Sequence, residues 1–246
     1  MSVPAKKERL DKLLHEKGLA ESREKAKALV ISGSVMVNGT VVDKAGAQVR
    51  HDDDLTLTEK MFYVSRGGLK LEHAIKIFTP SMQDTVAMDV GASTGGFTDC
   101  LLQHGVRKVY AVDVGYGQID LKLRNDDSVV VLEKTNIRHL EHDAVQDTID
   151  IATIDVSFIS LLKVIPKVLE FLKPDGEIIA LIKPQFEAER KNIAKGGVVR
   201  DESVRLEVVD TIKSASEEMG LTVLGTTPSP IKGPKGNVEY LIYLKH

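Results

Sequence analysis

The sequence predicts an α/β protein in which a small N-terminal α+β unit precedes a larger, doubly wound domain with a mostly parallel sheet. From residue 67 onward, strand-sized apolar runs alternate with helical patterns. These runs are continuous in Val, Ile and Ala, as expected for strands covered by helices on both faces. The first sixty residues instead indicate two helices followed by a hairpin. We therefore expect an N-terminal domain at 1–60, a linker at 61–66 and a second domain at 67–246.

The composition is that of a folded globular protein. The chain has 246 residues, of which 42% are hydrophobic and 28% charged. No apolar run reaches the roughly 18 residues that a membrane-spanning helix needs, and no apolar segment behind the N-terminal lysines indicates a secretory signal. The single cysteine, Cys100, cannot form an internal disulfide. These features are typical of a cytoplasmic protein.

In the N-terminal unit, a helix with an apolar stripe at Leu10, Leu13 and Leu14 precedes a second helix capped by Ser22. The pair Asn38-Gly39 then joins two short β-branched runs. Asn-Gly at that position is a strong hairpin signal, because both turn residues need positive φ. A third short strand completes a small sheet.

Charge is distributed unevenly along the chain. Residues 1–50 carry ten lysines and arginines and six acidic residues, a net +4, whereas the remaining 196 residues carry −7. A basic head on an acidic body indicates contact with a polyanion, although a solvated helix face is the alternative. The basic residues on or beside the two helices are Lys6, Lys7, Arg9, Lys12, Arg23, Lys25 and Lys27.

The second domain follows an alternating pattern of elements. Strands are predicted at 86–90, 109–114, 129–132, 149–156 and 177–182, and helices at 71–78, 159–172 and 204–219. Two more strands, 221–224 and 238–244, are separated only by a loop rich in Pro and Gly. That loop is too short for a crossover helix, so we expect these two strands to pair antiparallel.

The end of the first predicted strand carries the richest motif. Ligands of parallel sheets bind beyond the carboxyl ends of the strands, and this end reads Asp89-Val90-Gly91-Ala92-Ser93-Thr94-Gly95-Gly96-Phe97. The glycines permit a tight turn and a close backbone approach. Their spacing is wrong for a dinucleotide motif, and Asp89 is better placed for the amino-acid end of S-adenosylmethionine. A structural turn is the alternative.

Polar residues also follow the next strands. Asp113, followed by Val114, could accept both ribose hydroxyls of an adenosine, a device that NAD enzymes share. Asn136 and Ile137 follow the third strand, where an adenine edge would be read, although Asn is common in any turn. Asp155 and Lys183 end the fourth and fifth strands; they would face one crevice, or form an ordinary ion pair.

Together these motifs resemble the TlyA family of ribosomal RNA 2'-O-methyltransferases, also called hemolysin A. The resemblance runs nearly end to end. It is carried by the cofactor loop and by the blocks at 9–14, 33–39, 65–71, 155–160, 183–187 and 238–240. It implies an RNA-binding head of the ribosomal protein S4 type and an FtsJ-like body whose seven-stranded sheet ends in an antiparallel strand. It also implies S-adenosylmethionine as the cofactor, ribosomal RNA or ribosomal subunits as partner, cytidine in assembled subunits as target, and no metal.

The resemblance further implies a Lys-Asp-Lys-Glu tetrad, and the matching positions are Lys70, Asp155, Lys183 and Glu239. We expect Lys183 to lie nearest the ribose hydroxyl and to take its proton or stabilise the developing oxyanion. Asp155 would orient Lys183, and the other two residues would complete the network. Arg66, in the block that precedes Lys70, is expected to bind RNA.

Three other functions are alternatives to this one. A membrane-lytic protein would need an amphipathic or spanning segment, which the sequence lacks. An RNA-binding assembly factor with a vestigial pocket is disfavoured by the intact Asp89, Asp113 and Lys183. Methylation of a base usually uses an Asn/Asp-Pro-Pro-aromatic motif or a cysteine nucleophile, whereas Cys100 lies in a predicted helix and is more typical of a buried apolar side chain.

Overall fold

The computed structural model describes residues 7–31, 33–42, 44–57 and 62–246, and it divides into two compact units, Met1–Arg66 and Gly67–His246. Lys6 of the predicted basic set and residue 61 of the predicted linker lie outside the described residues. The domain limits inferred from the sequence stay predictions. None of the described helices combines the length and the apolar character that crossing a bilayer requires.

The first unit contains two helices and five short strands. They are β1 (Lys7–Arg9), α1 (Leu10–Glu16), α2 (Arg23–Ile31), β2 (Val35–Val37), β3 (Thr40–Val41), β4 (Gln48–Arg50) and β5 (Leu55–Leu57). The Ser22 hydroxyl accepts a hydrogen bond from the Lys25 amide at 3.1 Å, so the predicted helix cap is confirmed. Asn38 and Gly39 have φ of 50° and 74° and join β2 to β3 as predicted. The leucines of α1 pack into the apolar core of this unit.

The second unit is a doubly wound α/β domain. Its helices are α3 (Gly67–Phe78), α4 (Gly96–Gln103), α5 (Leu121–Arg124), α6 (Ile165–Leu169), α7 (Pro184–Glu187) and α8 (Glu202–Glu218). Its strands are β6 (Val86–Val90), β7 (Lys108–Val112), β8 (Val129–Leu132), β9 (Ile149–Ile154), β10 (Leu172–Ile182), β11 (Thr222–Pro228) and β12 (Tyr240–Lys245).

These seven strands form one sheet in the order β11-β12-β10-β9-β6-β7-β8. The pairs from β10 to β8 are parallel, and β12 runs antiparallel to both β10 and β11. This is the predicted mostly parallel sheet with an antiparallel last strand. One apolar core includes residues of β6, β9, β10, α6 and α8. Because β10, β9, β6, β7 and β8 are parallel, their carboxyl ends lie at the same edge of the sheet.

The predicted helix over 159–172 is wrong in length. A 3₁₀ turn at Leu161–Lys163 is followed by α6, which has a proline in its first turn, and the chain has already entered β10 at Leu172. Leu172 pairs with Ile149 ahead of an irregularity in the register. Pairing with β9 therefore overrides the helical pattern at the end of this segment.

Candidate active site

A cavity of about 770 Å³ opens at the carboxyl ends of the central strands. This volume is typical of sites for small organic molecules. The predicted cofactor residues that line it are Gly91, Ser93, Asp113, Val114, Asn136, Ile137 and Asp155. The others, Asp89, Ala92, Gly95, Gly96 and Phe97, are buried and do not belong to its lining.

Two glycines let the loop after β6 take its path. Gly91 has φ of 88°, and a Cβ there would lie 2.6 Å from the carbonyl oxygen of Asp155. Gly95 has φ of 93° at the start of α4, and a Cβ there would collide with Leu123. Ser93 also has a positive φ, 50°. This φ is one that glycine adopts readily and other residues adopt less often.

Asp89 lies beneath this loop. Its carboxylate is fully buried and accepts hydrogen bonds from the hydroxyls of Thr98, on α4, at 2.7 Å and Thr153, on β9, at 3.0 Å. Burial raises the pKa of Asp89 to about 7, with a smaller contribution from the nearby charge of Asp155. Direct contact between Asp89 and the amino-acid part of a cofactor stays a prediction.

Asp113 lies on the cavity wall at the end of β7. Its two carboxylate oxygens accept hydrogen bonds from the backbone amides of Ser93 at 2.8 Å and Gly115 at 2.6 Å. Each oxygen can accept more than one bond, so Asp113 can still bind a ligand hydroxyl. The same residue therefore fixes the loop after β6 and faces the cavity.

Asn136 caps a 3₁₀ turn at Ile137–His139, and its side-chain oxygen accepts from the Arg138 amide at 3.2 Å. This is the turn chemistry considered above as the alternative to adenine recognition. The residue still lines the cavity together with Ile137, and its contact with an adenine stays a prediction.

The predicted tetrad forms two ion pairs. Lys183 Nζ lies 2.5 Å from Asp155 Oδ1, at angles unsuited to a hydrogen bond, and donates a hydrogen bond to Ser157 Oγ at 3.0 Å. Its side chain is 10% exposed. Asp155 and Ser157 line the cavity, and Lys183, which contacts both of them, is not part of its lining.

The second pair lies next to the first along the sheet edge. Lys70 Nζ of α3 lies 2.7 Å from Glu239 Oε2, and the Glu239 side chain is fully buried. Ile182 pairs with Tyr240 in antiparallel register, so Lys183, which follows β10, and Glu239, which precedes β12, both lie just beyond the last pair of the two strands. Gln185 donates to the other oxygen of Glu239 at 3.1 Å. Gly67 and Gly68, just before Lys70, lie in the first turn of α3.

Sequence reasoning missed several residues around these pairs. Ser157 and Gln185 lie inside the motif blocks that carry Asp155 and Lys183, so the signal was present but unassigned. Phe158 has φ of 64°, is 89% exposed and lies with its ring centroid 4.8 Å from that of Phe186. Burial raises the pKa of Glu187, whose carboxylate accepts from the Leu161 amide at 2.8 Å.

The basic residues of the first unit fall into three groups. Arg9 and Arg23 converge on Asp11: Arg9 forms two hydrogen bonds at 2.8 and 3.0 Å, and Arg23 Nε lies at 3.4 Å. Lys12 pairs with Glu8 and Glu16, and Lys25 with Glu21. Lys7 and Lys27 are exposed, and the Arg66 side chain packs against Gly33. Two guanidinium groups therefore share one buried carboxylate.

Potential metal ligands cluster in one place among the described residues. Glu8, Glu16 and His51 offer ligand atoms within 4.8 Å of one another. Lys12 forms ion pairs with both glutamates, which lowers the attraction of this cluster for a cation.

Comparison with known proteins connects these features to a family. An FtsJ-like methyltransferase domain is matched over residues 63–246 and an S4 domain over residues 8–55. The protein YqxC of Bacillus subtilis is 49% identical over 98% of this chain and 87% of its own. The 16S/23S rRNA (cytidine-2'-O)-methyltransferase TlyA of Mycobacterium tuberculosis is 40% identical over 98% of this chain and 91% of its own.

A solved structure from Streptococcus thermophilus that carries the hemolysin name gives a TM-score of 0.77. It is 45% identical and covers 97% of this chain and 88% of its own. The two domain matches and the near full-length similarity to these relatives indicate the same family. The chain belongs to the TlyA, or hemolysin A, family of methyltransferases, with an S4 domain followed by an FtsJ-like domain.

Proposed function

We propose that this protein transfers the methyl group of S-adenosylmethionine to a ribose 2'-hydroxyl in ribosomal RNA, with cytidine in assembled subunits as the target. The observation that carries the proposal is Lys183, held by Asp155 and Ser157 at the edge of a cavity large enough for a nucleoside. The names of the TlyA relatives support the cytidine and ribose assignments. A ribosomal substrate agrees with the cytoplasmic location expected from the sequence.

The residues around the cavity fit this cofactor. Gly91 and Gly95 let the loop after β6 pass close to Asp155 and Leu123, where a Cβ would collide, and so set the path of the loop beside the cavity. Asp113 keeps free lone pairs toward the cavity, where it would bind the ribose hydroxyls of the adenosine. Asp89 would act mainly from below, by holding α4 and β9 in place through its two threonines. The bound cofactor would supply a methyl group already activated by a cationic sulfur.

Lys183 would act on the ribose hydroxyl. An ammonium group has three N–H donors. One N–H of Lys183 is hydrogen-bonded to Ser157, and the ion pair with Asp155 occupies a second side of the ammonium group. The third N–H would be available for the 2'-oxygen. As the methyl group moves from sulfur to the 2'-oxygen, the hydroxyl proton would pass to the carboxylate of Asp155, while the Lys183 ammonium stabilises the charge that develops on the oxygen. The Lys70–Glu239 ion pair would hold the start of α3 against the start of β12, and so keep this part of the site in place beside the ribose. Holding the two reactants in line can contribute roughly 7–11 kcal/mol.

The RNA would contact both units. In the first, Arg9 and Arg23 are held by Asp11 at about half exposure, as suits contact with phosphates. In the second, the exposed ring of Phe158 offers a surface on which an unstacked base can lie. The remaining predicted contacts, Lys7, Lys12, Lys25, Lys27 and Arg66, stay predictions, and the internal ion pairs of Lys12 and Lys25 make them the weaker members.

The direct test is methyl transfer from labelled S-adenosylmethionine to unmodified ribosomal RNA and to subunits, followed by alkaline hydrolysis. A 2'-O-methyl group blocks cleavage at its own linkage, so the proposal expects label in a protected dinucleotide that contains cytidine. Label in a mononucleotide would show that a base is methylated instead. Binding to subunits without any transfer would favour the RNA-binding factor, and lysis of cells by an Asp113→Ala variant would favour the membrane-lytic alternative.

A further inference from the structure

Two loops of the second unit, 188–200 and 229–238, carry a concentration of positive charge on an otherwise acidic domain. Together they hold six lysines and arginines and one acidic residue, Glu189, whereas residues 51–246 as a whole carry −7. Glu189 is paired with Lys191. The remaining cations, all exposed, are Arg190, Lys195, Arg200, Lys232 and Lys235, and none of them forms an ion pair within the described part of the chain.

The two loops are joined by a buried amide. Asn237, 3% exposed, donates from Nδ2 to the carbonyl of Gly197 at 2.9 Å, and its Oδ1 accepts from the Val199 amide at 3.2 Å. Its own carbonyl accepts from the Gly233 amide at 2.8 Å. A side chain that satisfies both of its polar groups in this way fixes one loop against the other. Lys235 then reaches over Gly197, with Nζ 3.8 Å from the position of a Cβ there.

The two positively charged loops adjoin residues of the tetrad in the chain. The first loop follows α7, which begins directly after Lys183, and the second leads into Glu239. Both therefore lie at the sheet edge that carries the two ion pairs. Exposed cations without acidic partners, held beside a site that acts on nucleic acid, are complementary to phosphates.

We propose that loops 188–200 and 229–238 form a second RNA-phosphate surface, separate from the N-terminal unit, which seats the strand that carries the target ribose beside the tetrad. Asn237 is the positioning residue that keeps the two loops as one surface. This inference rests on the proposed RNA substrate and adds the part of the catalytic domain that holds it.

The test compares two triple variants of the full-length protein with equal loss of charge. One is Lys195→Gln, Lys232→Gln and Lys235→Gln. The control, Lys76→Gln, Lys213→Gln and Lys245→Gln, removes one exposed and two half-buried lysines, which lie outside these loops on α3, α8 and β12. Binding to ribosomal RNA is measured at several salt concentrations, together with cofactor affinity and the kinetics of methyl transfer.

The loop variant should lower the slope of log K against log salt by about 2 to 3, since each phosphate contact contributes roughly 0.7 to 0.9. The affinity lost between 50 and 200 mM salt then shrinks by about 30-fold. KM for RNA should rise, while kcat at saturating RNA and cofactor affinity stay unchanged. Asn237→Ala, which removes no charge, should raise KM in the same way while its melting transition remains cooperative.

The proposal would be overturned if the slope of log K against log salt were unchanged in the loop variant. It would also be overturned if the control variant lowered that slope and raised KM for RNA to the same extent. An unchanged slope together with lost binding to vesicles of anionic lipid would assign the surface to membranes and would also overturn it. A wild-type protein that binds RNA with the full slope but transfers no methyl group would contradict the proposed function and leave this surface supported.

Discussion

The carboxylates at the edge of the sheet where the parallel strands end fall into two regions, which differ in their hydrogen-bond and ion-pair partners. At β6 and β7, Asp89 and Asp113 accept hydrogen bonds from uncharged hydroxyls and backbone amides. At β9 and β12, Asp155 and Glu239 are each paired with a lysine. Neutral donors fix the loop after β6 and leave the carboxylate of Asp113 available for a ligand, whereas lysine partners balance the charge of Asp155 and Glu239 and provide a route for a proton. The difference separates the part that would hold a cofactor from the part that would act on the substrate.

The strongest test of this division is Lys183→Ala. Loss of the group that we propose to act on the ribose oxygen should lower kcat by about 10²- to 10⁴-fold, the usual range for general acid–base catalysis. Cofactor affinity should stay close to wild type, because Lys183 does not line the cavity. Single-turnover methylation and calorimetry measure the two quantities, and Lys167→Ala on α6 serves as the control. Near-normal turnover would remove Lys183 from the chemistry.

Breaking the second pair should act mainly on stability. Lys70→Ala would leave the fully buried carboxylate of Glu239 without its cation, and such a loss costs about 3–5 kcal/mol in the free energy of unfolding. Adding Glu239→Gln should recover part of the loss, because it removes the unpaired charge. Urea unfolding of both single variants and of the double variant measures the coupling. Additive effects would show that the two side chains do not depend on each other.

A pH profile should distinguish Asp89 from the lysine-paired carboxylates. The pKa of Asp89 is raised to about 7 by burial, so the folded state holds a proton that the unfolded state releases near pH 4. Stability should therefore fall as pH rises from 4 to 7. Asp89→Asn removes this dependence, and its free energy of unfolding relative to wild type should rise by about 2–3 kcal/mol between pH 5 and pH 8. Parallel profiles would contradict the raised pKa.

The smallest expected effect is that of Asp113→Asn. The amide keeps one acceptor oxygen but loses charge, so cofactor affinity should fall by about 10- to 100-fold, as expected for a hydrogen bond to an ionised group. Once cofactor is saturating, kcat should remain near wild type. Asp120→Asn, which alters the cap of α5 nearby, should leave affinity unchanged. If Asp113→Asn lowers kcat alone, the division between cofactor and substrate regions is wrong.

Much of the fold could be predicted because its signals are local. Continuous apolar runs marked the parallel strands, and the short loop before Glu239 required an antiparallel last pair. The start of β10 could not be predicted in this way. Its first residues include Pro174 and Gly176, which are typical of turns, and only the pairing of Leu172 with Ile149 across the sheet makes them part of a strand.

The site shows the same limit. Asp89 and Asp113 have the same sequence signature, an acid at the end of an apolar strand. Thr153, 64 positions from Asp89, is one of the residues that bury it, and no local pattern announces this contact. Likewise, the ion pairing of Lys70 with Glu239 joins residues 169 positions apart. The resemblance to a family named both residues, but only the folded chain shows that they are partners.

The last strand in chain order lies inside the sheet, between β10 and β11. The other described strands precede β12, and Glu239 immediately before it supplies the partner of Lys70. During folding the sheet therefore keeps a strand-wide gap until residues 240–245 insert between β10 and β11. We expect closure of the sheet and formation of the Lys70–Glu239 ion pair to occur together, as one folding step.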